Sequence, residues 1–268
     1  MIFEKTELGI GNATLDIYIG DELKKAPAML VIPGGGYGCV CADREGEPIA
    51  LAYLSRGFNA FVLHYSVGKD APVNCPLAEA SAAIAYIRRN SERLGVDPEK
   101  VYAVGFSAGG HLCGSLAALW HRDEIREKAG IEYGENRPTA VVLQYPVITA
   151  LGKGHMNSFY NLLGTREPTR EQLEYYSLEK HVDERSAPAF ILHTAGDQAV
   201  PVENALYIAE AYAGAKIPFE LHIYPFGPHG LALANEVTAK GKSEFIDPQA
   251  ARWVDDSIVF FKRLTEGK

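Results

Sequence analysis

The sequence has little cysteine, no excess of positive charge and no long apolar run. Its 268 residues include only 4 cysteines, at Cys39, Cys41, Cys75 and Cys113. Their spacing does not match a paired zinc site, and the chain does not open on a basic segment followed by an apolar stretch, as an export signal does. We therefore expect reduced thiols and a cytoplasmic location, with packing as the role of the four cysteines.

Charge and composition exclude further classes of protein. The chain carries 26 Lys and Arg against 34 Asp and Glu, a formal net charge of -8. This balance argues against a nucleic-acid partner or an anionic membrane surface. Hydrophobic residues make up 47% of the chain and charged residues 22%. These values and the length predict one globular domain over residues 1–268.

Short apolar runs alternate with amphipathic segments along most of the chain. Nearly continuous apolar runs are typical of parallel strands covered on both faces, whereas residues 2–8 and 14–19 alternate in polarity like an antiparallel pair. The alternation predicts a doubly wound, mostly parallel α/β sheet of about eight strands with helices on both faces. Further strands are predicted at 28–32, 58–63, 101–106, 140–146, 189–194 and 219–224, and helices at 48–55, from 77 to near 95, directly after Ser107, at 202–212 and at 248–264.

One segment interrupts this rhythm. Residues 147–188 are long for a connection and rich in Tyr, Asn and charged residues, with helical spacing around 169–176. Long insertions between sheet elements often serve as functional lids. We therefore expect a cap or lid at about 147–188.

The motif Gly105-Phe106-Ser107-Ala108-Gly109 lies where the strand at 101–106 gives way to a helix. A strand-to-helix corner this tight requires glycine on either side, and it exposes the serine hydroxyl above the N-terminus of the helix. The backbone N–H of Ala108 then faces the place where a carbonyl oxygen becomes negative during acyl transfer. The motif with these flanks predicts that Ser107 is a nucleophile.

A serine nucleophile needs a base and a group that orients the base. Asp197 follows the strand at 189–194, and His229 follows the strand at 219–224, so both are expected at the same carboxyl edge of the sheet as Ser107. Glu203 and Asp183 are rival acids, but one falls at a helix start and the other in the insertion. The other histidines fit the role of base less well, being in strand patterns, on the nucleophile's own helix or out of chain order.

A glycine-rich turn follows the strand at 28–32, with three glycines in Pro33-Gly34-Gly35-Gly36. Glycines let backbone N–H groups approach a ligand closely. A dinucleotide site is one interpretation, but the turn has neither the spacing of a dinucleotide-binding loop opening a helix nor a Walker lysine-serine pair. The alternative is an oxyanion hole in which the turn and Ala108 supply the donors.

These residues together resemble the α/β-hydrolase superfamily, over most of the chain. The resemblance is strongest to the small bacterial acetyl xylan esterases and related carbohydrate esterases, through the segments 33–37, 105–112, 158–164 and 197–201. It implies the α/β-hydrolase fold, a small-molecule acyl ester as the partner, and the cleavage of short acyl esters, in particular acetyl groups on xylan-derived or other carbohydrates. It also implies that Ser107 is the nucleophile, His229 the general base and acid, and Asp197 its orienting group.

The same resemblance implies Gly35, Gly36 and Ala108 as oxyanion donors. In the lipase-like branch a histidine precedes the three glycines, whereas Pro33 stands here, so anchoring of the turn differs. No metal and no organic cofactor are implied. Tyr37 and Tyr145 are candidates for an aromatic surface that contacts a sugar, with core packing as the alternative for each.

Two other functions are compatible with the pattern. A peptidase of the prolyl oligopeptidase kind shares the order Ser, Asp, His, but such enzymes usually restrict access with a large extra domain. A binding or scaffold protein on the same fold would lack a member of the triad, and all three are present in the sequence. Reaction of Ser107 with a fluorophosphonate distinguishes an enzyme from a scaffold.

Overall fold

One mixed sheet forms the centre of the protein. The computed structural model describes residues 1–20 and 25–265. In that part of the chain the sheet has eight strands, in the spatial order β1-β2-β4-β3-β5-β6-β7-β8. The strands are β1 (Ile2–Glu7), β2 (Thr14–Ile19), β3 (Ala26–Ile32), β4 (Asn59–His64), β5 (Val96–Phe106), β6 (Val141–Gln144), β7 (Ala189–Thr194) and β8 (Phe219–Tyr224). This sheet confirms the predicted fold class.

The direction of the strands also follows the sequence pattern. β1 pairs antiparallel with β2, and β2 pairs antiparallel with β4. The neighbours from β4 through β8 are all parallel. The alternating strands therefore lie at one edge, and the continuous apolar strands fill the interior of the sheet, as expected when helices cover both faces.

The helices connect the strands. They are α1 (Ala42–Glu45), α2 (Glu47–Leu54), α3 (Ala71–Asn74), α4 (Pro76–Arg89), α5 (Ala108–Leu119), α6 (Asp123–Ala129), α7 (Met156–Leu163), α8 (Arg170–Tyr175), α9 (Glu203–Ala215) and α10 (Trp253–Thr265). The last one begins later than predicted, because Ala250–Arg252 form a 3₁₀ turn whose entry is held by the Asp247 carboxylate. None of the helices within the described ranges is both long and apolar enough to cross a membrane.

Alternate residues of the central strands build two apolar layers. Leu30 and Ile32 belong to a cluster that includes the buried faces of α4, α5 and α9. Met29 and Val31 point to the other face, where they join a cluster that includes Trp253 of α10 and the buried side of α2. The period of two along a strand thus gives each face its own helices. The parallel strands end at one edge, where the loops after β3, β5, β7 and β8 meet.

Candidate active site

Ser107 stands at a sharp corner between β5 and α5. Its backbone has φ 55° and ψ -119°, a strained conformation for a residue with a side chain. A Cβ on Gly105 would lie 2.2 Å from the carbonyl oxygen of Gly109, and one on Gly109 would lie 2.2 Å from the carbonyl oxygen of Ile32. Only glycine fits on either side of the serine, which explains the spacing of the motif.

The structure brings together the three residues predicted to react. His229 Nε2 lies 2.8 Å from Ser107 Oγ, and His229 Nδ1 lies 2.6 Å from Asp197 Oδ2. The Asp197 carboxylate is buried, whereas the His229 side chain is 23% exposed. With a proton on Nδ1, His229 donates to Asp197 and accepts from the Ser107 hydroxyl, as a general base must before it takes the serine proton.

Asp197 is held from several sides. Its Oδ1 accepts hydrogen bonds from the N–H groups of Ala199 and Val200, both 2.9 Å long, while Oδ2 lies 3.3 Å from Nε2 of the fully buried His193. Burial raises the pKa of the Asp197 carboxyl, but the hydrogen bonds from His193 and His229 outweigh it and hold that pKa well below its usual value. The carboxylate therefore stays ionised beside His229.

His193 is a neighbour that the sequence does not assign to the site. It lies in the middle of the β7 pattern, where a structural histidine is the expected interpretation, and its Nε2 also lies 2.9 Å from the Val200 carbonyl oxygen. Its distance of four residues from Asp197 is the only sequence signal, and it is a weak one because β7 ends between them.

The glycine turn after β3 lies against the serine. A Cβ on Gly34 would be 2.9 Å from Ser107 Cβ. Gly35 and Gly36 have φ of 129° and 63°, conformations that favour glycine. Ala108 is the first residue of α5, so its N–H has no partner within the helix. All three predicted oxyanion donors therefore belong to segments that border Ser107, and their role remains a prediction.

Tyr37 and Tyr145 lie inside the protein, each 1% exposed. The Tyr37 hydroxyl is 2.9 Å from His111 Nδ1, and the Tyr145 hydroxyl donates to Glu45 over 2.8 Å. Burial and these hydrogen bonds favour the packing alternative for both tyrosines, and contact with a sugar remains a prediction.

The insertion at 147–188 borders the glycine turn through α7. Asn161 donates from Nδ2 to the carbonyl oxygen of Gly36 over 2.8 Å, and a Cβ on Gly36 would lie 3.8 Å from Ser158 Oγ. The predicted helicity near 169–176 is confirmed by α8, whose Thr169 caps it with a capping box. α7 was not predicted, and a lid function of the segment remains a prediction.

The rival residues lie in other surroundings. Glu203 forms an ion pair with Lys153 at 3.2 Å, and Asp183 binds Arg185 at 3.0 Å. His222 meets a carboxylate on its own strand, β8, at 2.8 Å. In the described part of the chain, no group of three or more His, Cys, Asp or Glu side chains could hold a metal ion.

A cavity of about 420 Å³ lies under the insertion, but Ser107 does not line it. Tyr37 and His111 form part of its wall. Burial lowers the pKa of His111 to about 4, so this imidazole is neutral at physiological pH. Since Ser107 does not line this cavity and the His229 side chain is 23% exposed, we place the candidate active site on the exposed side of His229.

The fold and the site define the class: this is an α/β-hydrolase. A family model described as BD-FAE matches residues 15–212, which is more than half of the chain. The protein belongs to the BD-FAE family of α/β-hydrolases.

Solved structures resemble the chain over nearly its whole length. An acetyl ester-xyloside bifunctional hydrolase from Caldicellulosiruptor lactoaceticus is 34% identical, with a TM-score of 0.81, over 94% of this chain and 88% of that one. The carboxylesterase Cest-2923 from Lactobacillus plantarum WCFS1 is 26% identical, with a TM-score of 0.86, over 98% of each chain.

Curated relatives are longer than this chain. Endo-1,4-beta-xylanase B of Butyrivibrio fibrisolvens is 43% identical over 231 residues, which are 84% of this chain but 36% of that protein. The acetylxylan esterase of Xylanibacter ruminicola is 28% identical over 76% of this chain and 40% of its own length. The chain thus spans well under half the length of these two relatives.

Proposed function

We propose that the protein is a carboxylic ester hydrolase that uses Ser107, His229 and Asp197 as a catalytic triad. The observation that carries this proposal is the continuous line of hydrogen bonds from Ser107 Oγ through the imidazole to the buried carboxylate. The strained turn that presents Ser107 and the membership of the BD-FAE family support it.

The proposed triad supplies a proton donor or acceptor for each step. His229 Nε2 takes the proton of Ser107 as Oγ attacks the ester carbonyl carbon, and it then protonates the alcohol oxygen as the ester C–O bond breaks. An acyl group remains on Oγ. The same nitrogen deprotonates a water molecule that attacks the acyl carbon, and the acid leaves as Oγ regains its proton. Asp197 keeps the proton on Nδ1 and stabilises the imidazolium in both halves of the reaction.

The negative oxygen of each tetrahedral intermediate needs fixed donors. We assign this task to the N–H groups of Ala108, Gly35 and Gly36, because the N–H of Gly34 is already bound to Glu45 over 2.8 Å. Removing one such donor costs about 10²- to 10³-fold in turnover in comparable sites. The mechanism uses only protein side chains, backbone N–H groups and water.

As substrates we propose short acyl esters, above all acetyl groups on xylan-derived or other carbohydrates. Names of similar proteins support this choice: one relative is called an acetylxylan esterase, and one structural neighbour is called an acetyl ester-xyloside hydrolase. A further relative named as a xylanase contains a stretch 43% identical to this chain.

The test is hydrolysis of p-nitrophenyl acetate, of longer p-nitrophenyl esters and of acetylated xylo-oligosaccharides. Ser107→Ala is expected to lose about 10⁴-fold or more in turnover. Ser115→Ala is the matched control, since that buried serine lies on α5 and donates to a helix carbonyl at 2.8 Å. A fluorophosphonate should label the wild type and the control but not Ser107→Ala.

The outcomes distinguish the proposed mechanism from the proposed substrate. Acetate release from the oligosaccharide, lost only in Ser107→Ala, supports both the mechanism and the substrate. Cleavage of simple esters without any release from sugars leaves the triad and removes the carbohydrate substrate. Undiminished activity of Ser107→Ala overturns the mechanism.

A further inference from the structure

Glu45 is a buried carboxylate directly behind the glycine turn. It lies at the end of α1 and is 6% exposed. Its Oε2 accepts the N–H of Gly34 over 2.8 Å, and its Oε1 accepts the hydroxyl of Tyr145 over 2.8 Å. Burial raises the pKa of Glu45, against the opposing effect of these two donors. Both oxygens act as acceptors, which is the pattern of an ionised carboxylate.

Tyr145 links Glu45 to the loop that carries His229. Its hydroxyl oxygen accepts the N–H of Ala232 over 3.0 Å, and the Ala232 carbonyl in turn accepts the indole N–H of Trp253 over 2.9 Å. The Tyr145 ring packs edge-on against the His229 ring, with centroids 5.0 Å apart. Tyr145 itself has a φ of 36°, so its position directly after β6 is set by something other than ordinary backbone preference.

A second contact joins α1 to the loop that carries His229. The Arg44 guanidinium donates to the carbonyl oxygen of Gly230, the residue after His229, and its Cζ atom lies 4.9 Å from the centre of the Phe245 ring. Neighbouring residues of α1 therefore hold the glycine turn on one side and the histidine loop on the other. The turn and the loop come from opposite ends of the sequence, and α1 is where they are tied together.

We propose that Glu45 and Tyr145 are positioning residues that lock the oxyanion turn and the His229 loop into a single geometry. This inference rests on the proposed function. The bond from Gly34 to Glu45 fixes the orientation of the peptide groups that follow, so the N–H groups of Gly35 and Gly36 stay directed at the developing oxyanion. The bond from Ala232 to Tyr145 sets where the imidazole stands relative to Ser107.

The consequence is an effect on turnover rather than on ordinary substrate binding. Fixed donors matter most when the carbonyl oxygen becomes negative, and small misplacements of reacting groups reduce rates by up to about 10²-fold. Ser107 Oγ is hydrogen-bonded to His229 and to neither of these side chains, so loss of either keeps all three triad residues and alters only their relative positions. The expected loss for each variant is about 10- to 100-fold in kcat, with KM changed by less than about threefold.

Two variants and two matched controls test this inference. Glu45→Gln keeps shape but has a single acceptor oxygen for two donors, so either the Gly34 N–H or the Tyr145 hydroxyl loses its acceptor. Tyr145→Phe leaves a carboxylate oxygen and the Ala232 N–H unpaired. Glu79→Gln changes another buried carboxylate, which binds the Ser66 N–H at 2.6 Å. Tyr53→Phe removes another buried tyrosine hydroxyl, 2.8 Å from Ser257 Oγ. Both controls lie outside the proposed site.

The measurements are kcat and KM on p-nitrophenyl acetate, with melting temperature and circular dichroism for each variant. We expect kcat to fall in the two site variants and to stay within twofold of the wild type in both controls. The double variant should be no slower than the slower single variant, because both changes break one chain of hydrogen bonds. If Glu45→Gln does not fold, Tyr145→Phe alone decides the test.

The outcomes separate this inference from the function on which it rests. Folded Glu45→Gln and Tyr145→Phe with unchanged kcat overturn the positioning role, as does a loss that falls on KM alone. Equal losses in the controls overturn it too, since they would reflect general destabilisation. Activity that survives Ser107→Ala overturns the proposed mechanism first.

Discussion

Replacing His111 should make the stability of the protein less sensitive to acid. The His111 ring is 1% exposed. Its Nδ1 lies 2.9 Å from the Tyr37 hydroxyl, and its Nε2 lies 2.9 Å from the Tyr176 carbonyl oxygen. Burial lowers the pKa of this imidazole from 6.5 to about 4, because a charged ring is poorly solvated there. In the folded protein Nε2 carries the proton, and Nδ1 accepts from the tyrosine.

The sign and size of the effect follow from these two pKa values. Below pH 6.5 the unfolded chain binds a proton at His111, whereas the folded chain does so only near pH 4. The contribution of this group to stability is therefore complete above the unfolded pKa and is lost as the pH falls through 6.5 toward the folded pKa of about 4. The full contribution is about 3 kcal/mol, of which about 2 kcal/mol disappears between pH 7 and pH 5.

The assay is urea unfolding of the wild type and of His111→Gln at several pH values from 7 to 5. Glutamine does not titrate, so the variant's free energy of unfolding should fall by about 2 kcal/mol less over that range than that of the wild type. Other acidic and basic groups titrate in both proteins and cancel in the difference. Parallel losses in the two proteins, or an NMR titration of His111 near pH 6.5 in the folded state, would refute the reasoning.

Three further predictions concern the corner at Ser107, the triad and a surface helix. Gly105→Ala places a Cβ 2.2 Å from the Gly109 carbonyl oxygen and should lower the free energy of unfolding by about 3 kcal/mol or more, measured by urea unfolding. Gly214→Ala, where nothing lies within 4 Å of the new atom in α9, should instead raise it by about 0.5–1 kcal/mol, and a loss would contradict this account. Asp197→Asn should keep the fold and lose about 10⁴-fold in turnover on p-nitrophenyl acetate, because the amide no longer favours the His229 tautomer with a proton on Nδ1; near-normal turnover would remove Asp197 from the triad.

Much of the fold can be predicted from the sequence, because the polarity pattern of a short segment indicates whether it forms a strand or a helix. Apolar runs such as 28–32 and 101–106 correspond to β3 and β5, and the alternating segments before them correspond to the antiparallel edge. The first and last residues of the elements are predicted less accurately than their existence. The final helix starts at Trp253 instead of residue 248, and α7 is not among the predicted helices, whereas α8 in the same insertion is.

The members of the site differ in how far the sequence reveals them. Ser107, Asp197 and His229 could be named because each follows a recognisable strand in a parallel sheet, and strand ends on one edge converge. His193 could not be named, because only the folded structure places its Nε2 3.3 Å from Asp197 Oδ2. For a histidine within a strand, the sequence does not indicate which groups its ring contacts in the folded protein.

Glu45 and Tyr145 show why residues that position an active site are also difficult to identify from the sequence. Glu45 reads as one more acid in the charged run Asp43-Arg44-Glu45, and such a run predicts a solvated helix face. Tyr145 reads as an aromatic residue at a strand end, which suggested a surface for sugar. Their shared hydrogen bond joins positions 100 residues apart, so no local pattern contains it. A buried carboxylate is tolerated only where donors from distant segments satisfy it. Here the donors are the N–H of Gly34 in the glycine turn and the hydroxyl of Tyr145, which itself accepts the N–H of Ala232 in the His229 loop.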